Sequence, residues 1–355
     1  MKMLAARFYA PLDVRLEEIE VPRPGPGEVL VQVGAATTCG TDLKAYRRGH
    51  PVMLKNLPSL FGHEVAGTIA EVGTEVAGWH PGTRVVVANS APCNRCFFCR
   101  RGQHSLCEDL LILNGAYADY LLVPARIVEQ NLWELPAGVP FSRAALTEPL
   151  ACALHGVEAS NIHPGESVVI IGAGPLGLLL LAVARLKGAR VIMCGRSAEK
   201  LAAARALGAD EIIDMAQMPE HANQIAAARA LTEGQRGADV VIEAVGVPEI
   251  WETAVRMVRR GGLVNFFGGC ASSTTITLET QPLHYGEITI KGVFHHTPAY
   301  FSTALGLIAS GRVPVEQLIT DTLPLRQLPE AFRRLLAHQG IKYALLPEGS
   351  GAPGV

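Results

Sequence analysis

The sequence predicts an α/β protein of two domains: a β-rich, barrel-like domain with insertions, and a doubly wound domain built on a parallel sheet. Length is the first observation, because 355 residues are many for one domain. The second is a change of pattern at Ser167, where short β-branched runs give way to strands alternating with Ala/Leu-rich helical stretches. The third is Gly172-Ala173-Gly174-Pro175-Leu176-Gly177, which follows an apolar strand and opens an apolar helix.

In chain order, Glu28–Val33, Val65–Val72, Arg84–Val87 and Ala118–Val123 read as strands, separated by turn signals such as Pro24-Gly25-Pro26-Gly27 and Pro81-Gly82. The second pattern supplies six candidate parallel strands: Val168–Ile171, Arg190–Cys194, Glu211–Asp214, Val240–Glu243, Leu263–Phe267 and Ile288–Val293. Leu176–Lys187 and Ala198–Leu207 are two of the helical crossovers, and such alternation makes a doubly wound sheet. Past Phe294 the reading is helix (Tyr300–Ser310), strand (Leu318–Leu323) and helix (Pro329–His338), with a loose tail from Pro347 to Val355. That segment is assigned back to the first domain, giving expected bounds of 1–150 plus 295–355 and of 151–294.

Composition narrows the functional classes. An apolar fraction of 49% and a charged fraction of 18% suit a buried core without disorder. Net charge is −2, which points to neither nucleic acid nor an anionic membrane surface as partner. The run Val168–Ala184 is uncharged, but its glycines and Pro175 mark a strand-to-helix turn rather than a membrane span. Met1-Lys2-Met3-Leu4 opens no secretory signal, so a cytoplasmic protein is expected. Of the eight cysteines, Cys152, Cys194 and Cys270 are scattered singly as small apolar residues, and the other five fall into metal-binding patterns.

Four of those five form Cys93-x2-Cys96-x2-Cys99-x7-Cys107. Short steps let loops present four thiolates tetrahedrally to Zn²⁺, and a site closed by four sulfurs leaves no place for substrate, so its role is structural. Asn94-Arg95 and Arg100-Arg101 put cations beside the cluster. Competing readings are free or disulfide-bonded thiols, an iron–sulfur cluster, and a nucleic-acid finger, which the absence of a basic domain disfavours.

A second metal set is Cys39 in Thr38-Cys39-Gly40-Thr41-Asp42, His63 and Glu64 in Gly62-His63-Glu64, and Glu148 in Glu148-Pro149-Leu150. Three protein ligands leave Zn²⁺ one corner for water or an alcohol, whose proton then leaves more easily. Each residue alone has a dull explanation: a buried thiol, a satisfied histidine, a surface carboxylate. Two carboxylates bound at once would make the ligand set negative and blunt that acidity, so Glu64 and Glu148 are expected to alternate, or one to hydrogen-bond the water. Asp42 is placed to orient His63, and Thr41 to pass the alcohol proton outward.

In the fingerprint, Gly172, Gly174 and Gly177, with Pro175 and Leu176, let the backbone close on a pyrophosphate at a helix N-terminus. The second strand ends in Gly195-Arg196-Ser197, where an NAD site normally carries an acid at the Gly195 position. Arg196, Ser197 and Lys200 can instead donate to a 2′-phosphate, so NADP is expected over NAD. The alternative is that Arg196 stacks on adenine and either cofactor serves.

Over nearly its whole length the chain resembles the zinc-dependent medium-chain dehydrogenase/reductase superfamily, nearest its sorbitol (polyol) and threonine dehydrogenase branch. The cage spacing, Gly62-His63-Glu64, Glu148-Pro149-Leu150 and the glycine fingerprint carry the likeness. It implies a GroES-like catalytic domain beside a Rossmann domain, with two zinc ions per chain. Cys39, His63, Glu64 and Glu148 then belong to the catalytic zinc, and Thr41 to proton relay. Ala244-Val245-Gly246 and Phe267-Gly268-Gly269 would line the nicotinamide half, and Val293-Phe294-His295 would meet the carboxamide and substrate. Sorbitol dehydrogenases read Phe-Arg-Tyr where this chain has Phe294-His295-His296, and Lys44 and Ser90 stand where threonine dehydrogenases carry histidines. His295 and His296 are either donors to substrate hydroxyls or a partly buried strand end.

The expected activity is reversible oxidation of a secondary alcohol on a small polar substrate such as a polyol or sugar. An NADPH-dependent reductase of small ketones or aldehydes is the second enzymatic reading, and a non-enzymatic zinc-stabilised binding protein on the same fold the third. A homo-oligomer is implied by the resemblance, a tetramer before a dimer.

Overall fold

The computed structural model describes residues 1–50, 53–54 and 56–348. The expectation of a loose tail past Glu348 falls outside them. Contacts divide the chain into two compact units, Met1–Ala151 together with the chain from His296, and Cys152–His295.

In the first unit the strand Val29–Thr37 is the organiser. It pairs antiparallel with Val65–Val72, Tyr120–Val123 and Lys342–Leu346 in a seven-stranded sheet, which Arg84–Val87, Leu132–Glu134 and Ile319–Pro324 complete. Its length explains its centrality. Nine residues that alternate little between apolar and polar suit a strand covered on both faces, and only Gln32 is exposed. The reading from sequence stopped this strand at Val33; the ladder runs on to Thr37 and so delivers Cys39 to the sheet's end. Leu4, Phe8, Phe61, Tyr117 and Phe332 join the strands' valines in one core, with Phe61, Tyr117 and Phe332 meeting edge to face. The hairpin Lys2–Ala10/Asp13–Glu20 and the strand Lys342–Leu346 escaped the sequence reading.

The second unit is a six-stranded, wholly parallel sheet in the order Glu211–Asp214, Arg190–Gly195, Ser167–Ile171, Ala238–Glu243, Val258–Phe266, Thr289–Gly292. Numbered by sequence that order is 3-2-1-4-5-6, the doubly wound arrangement whose crevice lies beyond the carboxyl ends of the strands. The fifth strand begins earlier, and the sixth ends at Gly292, one residue before the expected Val293. The uncharged run resolves into the strand Ser167–Ile171, a glycine turn and the helix Pro175–Leu186, and no described helix is long and apolar enough to cross a membrane.

Candidate active site

Cys93, Cys96, Cys99 and Cys107 converge in the first unit, their sulfurs all within 4.8 Å of one another. The Cys93–Cys99 and Cys96–Cys107 sulfur pairs are both 4.0 Å apart, close to the edge of about 3.8 Å for a tetrahedron of about 2.3 Å Zn–S bonds. Main-chain N–H groups of Cys93 and Cys99 donate to Cys107 Sγ at 3.2 Å and Cys96 Sγ at 3.5 Å. The thiols are not alike. Backbone donors from Cys99 and Glu108 bring Cys96 down to about 6, whereas burial pushes Cys99 up to about 12. A dication among them would hold all four as thiolates, so the donor set fits zinc.

The second set is built on two short segments. Cys39 is the N-cap of the helix Gly40–Arg48, and its sulfur accepts the Thr41 N–H at 3.4 Å. His63 follows Gly62, which has φ +86; a Cβ there would stand 2.7 Å from the Tyr117 ring, so only glycine fits. Asp42, 1% exposed, accepts His63 Nδ1–H at 2.9 Å and also the Tyr117 hydroxyl. Because the carboxylate only accepts, His63 carries its proton on Nδ1 and presents Nε2 to a metal. Ligand atoms of Cys39, His63 and Glu64 lie within 4.8 Å of one another.

Glu64 is fully buried, and both its oxygens are engaged. Lys342 Nζ lies 2.8 Å from Oε1 and 2.6 Å from Oε2, and Thr37 Oγ1 donates to Oε2. The same ammonium donates to Thr38 O at 2.5 Å. Glu148, in the first turn of the helix Thr147–Ala159, lies in a different setting. Its Oε1 accepts Asn89 Nδ2–H at 3.1 Å, and His296 Nε2 stands 3.8 Å away. Burial pushes its carboxyl up to about 7. His296 is 2% exposed and donates from Nε2 to Asn89 Oδ1 at 2.8 Å, so it is a buried partner of this network. Lys342, Asn89, Tyr117 and Thr37 were missed in the sequence. Only Lys342 left a signal, as the one charge inside the apolar run Ile341–Leu346.

In the second unit the glycine turn has the shape a pyrophosphate needs. Gly172 has φ +113, a Cβ on Gly177 would fall 1.8 Å from Gly172 O, and Gly174 faces open space at the start of the helix Pro175–Leu186. Pro175 and Leu176 form its first turn. At Gly195 a Cβ would meet Ala173 Cβ at 2.7 Å and Leu201 Cδ2 at 2.9 Å, so an acidic side chain has no room there. Arg196 is exposed, Ser197 stands at the N-cap position of the helix Ala198–Ala206 without a side-chain capping bond, and Lys200 is half-buried, its ammonium pushed down by desolvation. Ala244 and Val245 pack on Gly172, and Gly246 abuts Gly268 and Gly269. Phe267 follows the fifth strand directly. Phe294 is 55% exposed, and His295, at φ +60, has its carbonyl held by His155 Nδ1–H at 2.8 Å.

Comparison with known proteins decides the family. The alcohol dehydrogenase GroES-like domain matches residues 25–136, and the zinc-binding dehydrogenase domain residues 175–310. The L-threonine 3-dehydrogenase of Pyrococcus horikoshii is 35% identical over 327 residues, covering 90% of this chain and 91% of that one. The sorbitol dehydrogenase of Bacillus subtilis is 32% identical over 343 residues, covering 94% of each. The chain belongs to the zinc-dependent medium-chain dehydrogenase/reductase superfamily. Within it, this dehydrogenase falls in the polyol/threonine branch, and it is an enzyme acting on CH–OH groups with zinc and a nicotinamide cofactor. Among solved structures, a protein described as a zinc-binding dehydrogenase of Sinorhizobium meliloti bound to NADP superposes with TM-score 0.88 at 30% identity, covering 98% of this chain and all of that one. The alcohol dehydrogenase TADH of Thermus sp. ATN1 gives 0.87 at 32% identity, covering 97% and 100%.

Proposed function

We propose that this dehydrogenase oxidises a secondary alcohol of a small polyol or sugar reversibly, with NADP preferred over NAD. The observation that carries the reading is the convergence of Cys39, His63 and Glu64 behind a buried Asp42, in a chain similar to sorbitol, D-arabinitol and xylulose enzymes. The domain from 1–150 plus 295–355 would carry both zinc sites, and that of 151–294 the dinucleotide.

Bound zinc supplies Lewis acidity towards the alcohol, and the nicotinamide supplies the hydride acceptor. The protein's part is to hold and balance. Asp42 fixes the His63 ring. Cys39 brings one thiolate, and Glu64 and Glu148 bring two carboxylates. Lys342 cancels one of those carboxylates, which removes the excess negative charge that would otherwise blunt the metal. Thr41 takes the alcohol proton at Oγ1 and passes it outward. Glu148 stands beside Asn89 and His296, without a cation contact as short as that of Glu64, and would be the carboxylate available to a bound zinc or to its water.

NADP preference rests on the Gly195 position, where no acid fits, with Arg196, Ser197 and Lys200 beside it as donors. Two zinc ions per chain belong to this reading, supported by the four-cysteine set and by the Cys39, His63 and Glu64 set. A cytoplasmic location belongs to the same reading, and a homotetramer is the assembly proposed, open to light scattering. A substrate panel with both cofactors tests the core of this reading. Turnover of polyols or sugars with NADP⁺ is expected, with kcat/KM at least about tenfold above NAD⁺. Exclusive turnover of short apolar ketones would favour the reductase reading, and a clear NAD⁺ preference would refute the 2′-phosphate assignment.

A further inference from the structure

Glu243 ends the central strand Ala238–Glu243, is fully buried, and belongs to none of the roles given above. Its carboxylate turns back on its own chain: Oε1 accepts Val245 N–H at 2.7 Å and Gly246 N–H at 2.9 Å, and Oε2 lies 3.2 Å from the same Gly246 nitrogen. Its main-chain carbonyl accepts from the next loop, Phe267 N–H at 3.0 Å and Gly268 N–H at 2.8 Å. Gly246 and Gly268-Gly269 bring the two loops into close backbone approach. A Cβ on Gly246 would stand 2.4 Å from Gly269 O, and one on Gly268 would stand 2.6 Å from Glu243 Oε2. Val245, fixed by the carboxylate, packs in turn on Gly172 of the glycine fingerprint. Trp251 closes the far side, donating from Nε1 to Gly268 O at 3.1 Å while stacked 4.0 Å from the Phe266 ring.

One buried residue thus ties both loops read as lining the nicotinamide half, Val245-Gly246 through its carboxylate and Phe267-Gly268 through its main-chain carbonyl. We propose that Glu243 is a positioning residue for that half of the cofactor. Its carboxylate fixes Val245-Gly246 against the Phe267-Gly268 backbone that its own carbonyl anchors, making one preformed floor beside the fingerprint turn, so that the nicotinamide end binds without ordering it first. The inference rests on the cofactor reading above and adds to it a residue that touches no cofactor.

The test compares whole cofactor with half. Dissociation constants of NADPH and 2′,5′-ADP, and of NADH and ADP, are measured by calorimetry on the zinc-loaded full chain and on Glu243→Ala, Glu243→Asp and Glu243→Gln. In Glu243→Ala the two N–H groups lose their acceptor, and the dinucleotides are expected to weaken about tenfold or more while the adenosine fragments stay within about twofold. Glu243→Gln keeps one acceptor oxygen and is expected to recover most of the affinity. Glu243→Asp keeps the charge but draws it back by one methylene, and is expected to show the same selective loss even if the alanine variant fails to fold. Equal weakening of fragment and dinucleotide, or no weakening in Glu243→Asp, would overturn the proposal. A wild-type chain that binds neither dinucleotide would sink the cofactor reading itself, a different result from a selective one.

Discussion

Lys342 shows what a single charge does at this site. An ammonium and a carboxylate exposed by 1% and 0% each pay heavily for leaving water, and only their mutual contact at 2.6 Å offsets it. Removing one partner strands the other. Lys342→Met is expected to cost about 3–5 kcal/mol in denaturant unfolding, and the double variant with Glu64→Gln to recover part of that loss. Equal losses in single and double variants would show that the pair is not coupled. On the other unit, Arg196 is exposed and so replaceable without harm to packing. Arg196→Ala is expected to lower kcat/KM with NADP⁺ by about 10- to 100-fold, one charge-assisted contact's worth, while NAD⁺ changes little. A uniform fall with both cofactors would assign Arg196 to adenine stacking instead.

At the scale of elements, the parallel sheet is tied at its base by one carboxylate. Asp239, near the start of the strand Ala238–Glu243, accepts both the main-chain N–H and the hydroxyl of Ser167 on the neighbouring strand at 2.7 Å, and Arg259 Nε at 2.6 Å. Burial pushes its carboxyl up, but the Ser167 and Arg259 hydrogen bonds outweigh this and hold it below the ordinary carboxylate value. A depressed folded-state value gives stability that is present above the unfolded value and lost as pH falls through the folded one. Asp239→Ala is therefore expected to destabilise the chain by about 2–3 kcal/mol near neutrality and by less below about pH 4. Unfolding curves at pH 7 and pH 3.5 check this, and a loss independent of pH would assign the effect to packing. The same economy appears where the helix Gly40–Arg48 takes its N-cap from Cys39, since one residue both starts an element and offers a sulfur.

At the scale of the whole molecule, the four-cysteine set and the Cys39, His63 and Glu64 set differ in burial. In the thiolate cage Cys93 and Cys96 are only partly buried, whereas His63 and Glu64 are almost wholly enclosed. Metal analysis is expected to give close to two zinc ions per chain. Chelator should strip them in two phases, one abolishing turnover and one lowering the melting temperature, since a four-cysteine site contributes to folding. A single zinc confined to the cage would leave the fold intact and remove the basis for catalysis.

Much of this was readable in the chain itself. The cage, the fingerprint and the strand–helix alternation are local patterns, because ligand spacing and glycine turns are set by neighbours within a few residues. Strand limits were less so: Val29–Thr37 continues four residues past the expected end because its partners on either side, not its own residues, decide where pairing stops. Lys342 lies 278 residues from Glu64, and His296 lies 207 from Asn89. No local rule joins such pairs.

By itself, then, the sequence determined the two architectures, the eight metal-ligating candidates and the place of the dinucleotide turn, all features written in short-range spacing. Tertiary structure alone decided that Glu64 is matched by Lys342, that Asn89 and His296 attend Glu148, that Gly195 has no room for an acid, and that Glu243 lies between two loops. The reason is physical: charge balance, steric room and buried hydrogen bonds depend on which groups meet after folding, and that meeting is fixed by the sheets as wholes.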